Sequence, residues 1–157
     1  MEMLLRKLEE MGMEWQEDEE GLTARVLERL QSVDVSTLPY PGLATDYKPF
    51  LVAALCVSQG AGMVTENIFA GRFRYIDELV RMGAEIRAEG RHAVVRGVAR
   101  LSGAPVRAHD IRAGAALVVA GLAADGQTVI SDAHHVDRGY EDLAGKLSSV
   151  GAQVKRI

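Results

Sequence analysis

The sequence predicts an α/β (α+β) fold of repeated units, with helices enclosed and small sheets on the outside. Three observations carry that expectation. Helical and strand-like stretches alternate along the chain. The alternation recurs, because the glycines that close three equivalent helices, Gly12, Gly83 and Gly151, stand 71 and 68 residues apart. Two further helices, FLVAALCV (50–57) and AGAALVVAGLA (113–123), are apolar nearly all round and must be covered on every side.

Taken in order, MLLRKLEEM (3–11) has apolar residues at helical spacing and stops at Gly12, where a left-handed C-cap is wanted. The alternating MEWQ (13–16) reads as a strand, and EDEEG (17–21) as a solvent-facing hairpin turn. The segment 38–45 contains Pro39, Pro41 and Gly42, so it cannot be helix and is expected to run extended towards Asp46. Asp46 opens the first apolar helix and Gly60 follows it; MVTENIF (63–69) then reads as a strand ending on the apolar pair Ile68 and Phe69.

The pattern then starts again. YIDELVRM (75–82) is a helix before Gly83, AEIRA (84–88) a strand, and AEGRH (88–92) a turn. Asp110 is a natural N-cap for the second apolar helix, which ends towards Gly126. Asp46 and Asp110 are 64 residues apart, and both Gly60 with Gly126 and Arg72 with Arg138 are 66 apart. A third start, helix 141–150 and strand AQVKRI (152–157), is incomplete. The chain therefore reads as one partial domain over 1–157, with units at about 3–72 and 75–138 and a fragment at 141–157.

Composition narrows the function classes. A chain of 157 residues has room for one domain with a real core. A net charge of −4 argues against nucleic acid or an anionic membrane as partner. No apolar run is long enough to span a bilayer, and a single cysteine excludes an internal disulfide, which suits the cytoplasm. Cys56, inside an apolar helix with no basic neighbour in sequence, is expected to be a packed, unreactive thiol. The adjacent His134 and His135, read as strand residues, would face opposite ways, a poor arrangement for a metal. Gly60-Ala61-Gly62 follows a helix and is no dinucleotide loop. No metal or cofactor is expected.

Asp110 and Arg112 at one helix mouth, with Arg138 in the later cluster Asp137-Arg138, offer two guanidinium groups and a helix N-terminus to an anion such as a carboxylate or phosphate. Ordinary surface ion pairs would use the same residues. On residue type alone, Asp46 is more readily a helix cap than a catalytic group.

Three stretches, PYPGLATD (39–46), VTENIFAGRFRYIDELVRMGA (64–84) and RAGAALVVAGL (112–122) followed by HVDRGYEDL (135–143), resemble the C-terminal portion of the UDP-N-acetylglucosamine enolpyruvyl transferases (1-carboxyvinyltransferases). The resemblance runs in order along nearly the whole chain. It implies an inside-out α/β barrel, three units to a domain, of which about two are present. It also implies a transferase that moves the enolpyruvyl group of phosphoenolpyruvate to the 3-hydroxyl of UDP-N-acetylglucosamine in peptidoglycan precursor synthesis. By the same resemblance Asp46 is the proposed base and contacts the sugar, Ile68 touches the nucleotide sugar through its backbone, and Arg72, Arg112 and Arg138 bind substrate, with Arg112 and Arg138 gripping phosphoenolpyruvate. The DRGYE run (137–141) argues against the sister enzyme acting on shikimate phosphate.

Two departures from the family pattern stand near these residues. Ala70-Gly71 replaces a usual Glu-Asn, and Lys48 stands where Gln is usual and could pair with Asp46. The family's reactive cysteine loop and its lysine-asparagine pair are absent, so the isolated chain is expected to be inactive. Its uncovered apolar faces would meet the remainder of the enzyme or a second copy. A non-catalytic nucleotide-sugar-binding or self-associating module of the same fold is the alternative.

Overall fold

A computed structural model describes residues 1–157. The first unit begins with α1 (Glu2–Glu10), closed by Gly12 in the left-handed region at φ +101°. Strands β1 (Met13–Asp18) and β2 (Gly21–Val26) form an antiparallel hairpin, with Met13 opposite Val26 and Asp18 opposite Gly21. Then come β3 (Val35–Ser36), α2 (Lys48–Cys56) and β4 (Ala61–Thr65).

The second unit repeats this order as α3 (Tyr75–Arg81), β5 (Glu85–Glu89), β6 (His92–Arg96), β7 (Leu101–Ser102), β8 (Pro105–Arg107), α4 (Ile111–Leu122), β9 (Ala124–Asp125) and β10 (Val129–Ser131). Short helices α5 (His134–Asp137) and α6 (Leu143–Ser149) follow. The additional pair β7 and β9 has a counterpart in the first unit, a single bridge between Gln31 and Gln59, 71 and 66 residues earlier than Ser102 and Asp125.

α2 and α4 are inside and the sheets outside, as the apolar stretches require, while α1 and α6 bury no residue. α2 and α4 pack on each other, and α4 also meets α3 and α5. Leu51, Leu55, Leu79 and Leu117 are fully buried among them, each contributing about 1.5–3 kcal/mol relative to exposure. Gly114 permits the α4–α5 contact, because a Cβ there would lie 2.5 Å from Val136 Cγ2 and 2.9 Å from Ala108 Cβ. Around this centre lie a four-stranded sheet in the order β3-β4-β6-β5 and three two-stranded ones, β1-β2, β8-β10 and β7-β9. The hairpin of the second unit thus completes the sheet of the first. β2 is exposed along its whole length, and Val119 and Leu122 of α4 are about half exposed. No helix is long and apolar enough to cross a membrane.

Several expectations change. Residues 152–157 form no strand, since they have no ladder partner. The segment 38–45 is not helix, yet it turns back on itself instead of running extended: the Leu38 N–H donates to the Leu43 carbonyl and the Gly42 N–H to that of Pro39. α2 and α4 end at Cys56 and Leu122, and Gly60 and Gly126 sit in the turns beyond. β4 stops at Thr65, which leaves Ile68 and Phe69 in a loop, with Phe69 half exposed. His134 and His135 belong to a helical turn, their rings 4.2 Å apart. Cys56 is buried as expected, and burial pushes its thiol up to about 12.

Candidate active site

The N-termini of α2 and α4 open beside one another on a polar pocket of about 210 Å³, lined among others by Thr45, Lys48, Arg72, Tyr75, Asp110 and Arg112. At the α4 mouth Asp110 does what its residue type suggests. Its carboxylate accepts hydrogen bonds from the backbone N–H groups of Arg112 (2.9 Å) and Ala113 (3.0 Å). Burial alone would raise this carboxyl, but the two N–H bonds and the Arg112 charge outweigh it and hold it below the ordinary carboxylate range. The cap therefore takes up two of the N–H groups that this helix N-terminus would otherwise offer to an anion.

The α2 mouth is built differently. The helix begins at Lys48, no side chain caps it, and Asp46 remains outside. The Asp46 carboxylate, about 60% exposed, instead accepts a 2.6 Å hydrogen bond from Arg112 Nη1 and lies 3.6 Å from Arg72 Nη1. That bond is the largest cause holding the Arg112 guanidinium above its ordinary value. Capping is thus replaced by a carboxylate between two arginines.

Lys48 does not pair with Asp46. Its side chain turns inward to Glu66, Nζ to Oε2 2.7 Å, with both groups buried, and also donates to the Arg72 carbonyl at 2.8 Å while lying over the Phe73 ring. Burial lowers the lysine's affinity for its proton, and the bond to Glu66 opposes that. For Glu66 burial pulls upward, yet the bonds from Lys48, Thr45, Thr37 and the Phe69 N–H prevail and hold its carboxyl at about 2. The Thr45 and Thr37 hydroxyls donate to it at 2.6 and 2.7 Å, and the Ile68 and Phe69 N–H groups at 2.8 and 3.1 Å. A second buried carboxylate, Glu78, accepts the Arg107 N–H at 3.1 Å and lies 3.1 Å from His109 Nε2, which fixes the approach to Asp110.

Of the residues singled out from sequence, the structure brings together Asp46, Arg72 and Arg112. Arg72 also stacks on the Phe69 ring at 3.9 Å. Ile68 does not line the pocket, and its N–H is already engaged by Glu66. Arg138 caps α5, is exposed, and does not line the pocket, so the expected Arg112–Arg138 clamp is not formed here. Sequence reasoning missed Glu66 and Glu78. The available signal was Lys48, since a lysine on an otherwise enclosed apolar helix requires a buried counter-charge.

Enclosed helices in repeated units, with Asp46, Arg72 and Arg112 drawn together beside a polar pocket, are found in a chain whose family places it among the carboxyvinyl transferases. The chain belongs to the EPSP synthase (3-phosphoshikimate 1-carboxyvinyltransferase) family, whose model matches residues 1–147. It is 49% identical to the UDP-N-acetylglucosamine 1-carboxyvinyltransferase of Gluconobacter oxydans over 98% of this chain and 37% of that protein. It is likewise 49% identical to UDP-N-acetylglucosamine 1-carboxyvinyltransferase 2 of Caldanaerobacter subterraneus subsp. tengcongensis over 100% of this chain and 38% of that protein. Among solved structures, the enolpyruvyl transferase NikO from Streptomyces tendae superposes with a TM-score of 0.89 at 28% identity, over 98% of this chain and 36% of that one. The chain therefore spans a little over a third of the length of the relatives it matches.

Proposed function

We propose that the chain supplies one wall of a cytoplasmic transferase that moves the enolpyruvyl group of phosphoenolpyruvate to the 3-hydroxyl of UDP-N-acetylglucosamine, a step towards peptidoglycan precursors. The observation that carries this reading is the exposed Asp46 carboxylate held 2.6 Å from Arg112 and 3.6 Å from Arg72, both of which line the pocket. In the reaction the sugar hydroxyl adds to C2 of phosphoenolpyruvate while C3 takes up a proton; C3 then gives up a proton as the C2–O bond to phosphate breaks and the double bond re-forms, so that the net change moves the hydroxyl proton to the departing phosphate. Asp46 accepts the hydroxyl proton, and its exposed carboxylate gives a substrate direct access. Arg112 and Arg72 meet the carboxylate and phosphate charge of phosphoenolpyruvate, where planar guanidinium groups bind two oxygens at once. Arg138 and the Ile68 backbone take part once both substrates and the rest of the enzyme are in place. That remainder, or a second copy, covers the open β2 edge and the exposed residues of α4.

Isothermal titration of the chain with UDP-N-acetylglucosamine tests this. Heat of binding that is lost in Asp46→Ala is the expected result, with no turnover when phosphoenolpyruvate is added. Absence of heat contradicts sugar-nucleotide binding by this chain; turnover by the chain alone contradicts the partial-site reading.

A further inference from the structure

The run Arg72-Phe73-Arg74-Tyr75 leads into α3 and alternates between surface and interior. Phe73 and Tyr75 are buried, Arg72 is half-buried and Arg74 is exposed. A phenylalanine at 75 would fill the same space, whereas the tyrosine carries a hydroxyl inward that needs a partner of its own. Within the fold it has none. The buried side-chain oxygens without a hydrogen-bond partner are those of Ser32, Tyr75 and Thr128, and of these only Tyr75 belongs to a residue lining the pocket beside α2 and α4. A buried hydroxyl left unpaired is destabilising, so its retention beside a pocket points to a bond made there. The charges around the pocket indicate with what. Lys48 is balanced by Glu66, Arg112 by Asp46 and Asp110, and Arg72 lies 3.6 Å from Asp46. Arg74 also lines the pocket and forms no ion pair. Four cations thus face three carboxylates, and the uncommitted charge is that of Arg74.

We propose that Tyr75 and Arg74 form an oxyanion subsite in this pocket, the phenol donating a hydrogen bond to one oxygen of a carboxylate or phosphate group and the guanidinium supplying the opposite charge. Burial, and after it the Glu66 charge, pushes the phenol well above its ordinary value, so the hydroxyl keeps its proton and can donate. A space of about 210 Å³ suits a small anionic group and is too small to enclose a nucleotide sugar. A hydrogen bond to a charged acceptor in such a site is stronger than one between neutral groups. The proposal rests on the reading in which the pocket receives phosphoenolpyruvate and deepens it: Tyr75 and Arg74 are two further contacts to its anion, besides Arg72 and Arg112.

The test titrates the whole chain, labelled for NMR, with inorganic phosphate and separately with pyruvate, in a buffer free of other oxyanions, and follows the Arg74 side-chain N–H. Saturable shifts with phosphate assign the subsite to a phosphoryl group, and shifts with pyruvate assign it to a carboxylate; either result supports the proposal. Tyr75→Phe weakens the affinity for the anion that binds by about tenfold or more, the loss expected for a hydrogen bond to a charged group. It leaves the melting temperature of the free chain unchanged or raises it, because the hydroxyl has no partner to lose. A purely structural hydroxyl would do the opposite, lowering the melting temperature and leaving the affinity alone. Arg74→Gln, at an exposed position where folding is not at risk, weakens binding as well. Arg87→Gln, which removes an exposed and unpaired guanidinium away from the pocket, leaves it unchanged. No saturable shift with either anion, equal affinity in Tyr75→Phe and the native chain, or an equal loss in Arg87→Gln and Arg74→Gln overturns the proposal. Failure of the sugar-nucleotide reading is separate: a chain that gives no heat with UDP-N-acetylglucosamine but binds an anion through Tyr75 loses that reading and keeps the subsite, and the reverse result keeps the reading and removes the subsite.

Discussion

At the mouth of α4 the carboxylate of Asp110 folds back onto its own helix; at the mouth of α2, 64 residues earlier, that of Asp46 reaches away to Arg112. Residue type and place in the repeat are shared. The surroundings differ. The second mouth carries its own cap and draws its anchor from outside, through Glu78 and His109. The first has no cap and is held from beneath by Glu66 and Lys48. An aspartate spent on its helix is structural, while one released from that task keeps a carboxylate for other partners. The repeat thus provides two equivalent positions, and their surroundings decide which carboxylate is spent on its own helix and which is free to meet Arg112.

The largest way to break this contrast is to remove the support under α2. Glu66→Ala leaves Lys48 buried without a counter-charge and is expected to cost about 3–5 kcal/mol by urea unfolding. The paired change Lys48→Met with Glu66→Gln recovers most of that. Acid gives the next effect. The Glu66 carboxyl sits at about 2 in the folded protein against an ordinary value of 4.5, so its contribution is present above the ordinary value and is lost as pH falls through this range towards 2. Acid unfolding followed by circular dichroism is expected to start at higher pH in the native chain than in the paired variant.

Smaller changes sharpen the comparison at the two aspartates. Asp110→Ala removes a true cap and costs about 1 kcal/mol, with an upper limit near 2. Asp46→Asn removes no cap and leaves stability within about 0.5 kcal/mol, while it takes away the carboxylate proposed to accept the hydroxyl proton. Equal costs at the two positions, measured by denaturant titration, would erase the distinction.

Much of this architecture was legible in the residues. Helices closed by Gly12, Gly83 and Gly151 could be read because amphipathic spacing and a left-handed cap are local properties. Enclosure of 50–57 and 113–123 followed from their lack of a polar face. Asp46 was less legible, since whether a carboxylate caps its helix depends on Arg112, 66 residues away. The Lys48–Glu66 pair likewise joins a helix to a loop that no short-range spacing connects. Arg138 was placed by likeness to the family and by its repeat distance from Arg72. Neither specifies where a side chain on a short helix will point.

The hairpin β5–β6 is bonded to β4, so the sheet of the first unit is finished only by strands of the second. The period written in the sequence is consequently out of phase with the physical seam. A protease cutting at Arg74 would leave two pieces still stitched by backbone ladder bonds, neither of which carries the four-stranded sheet whole.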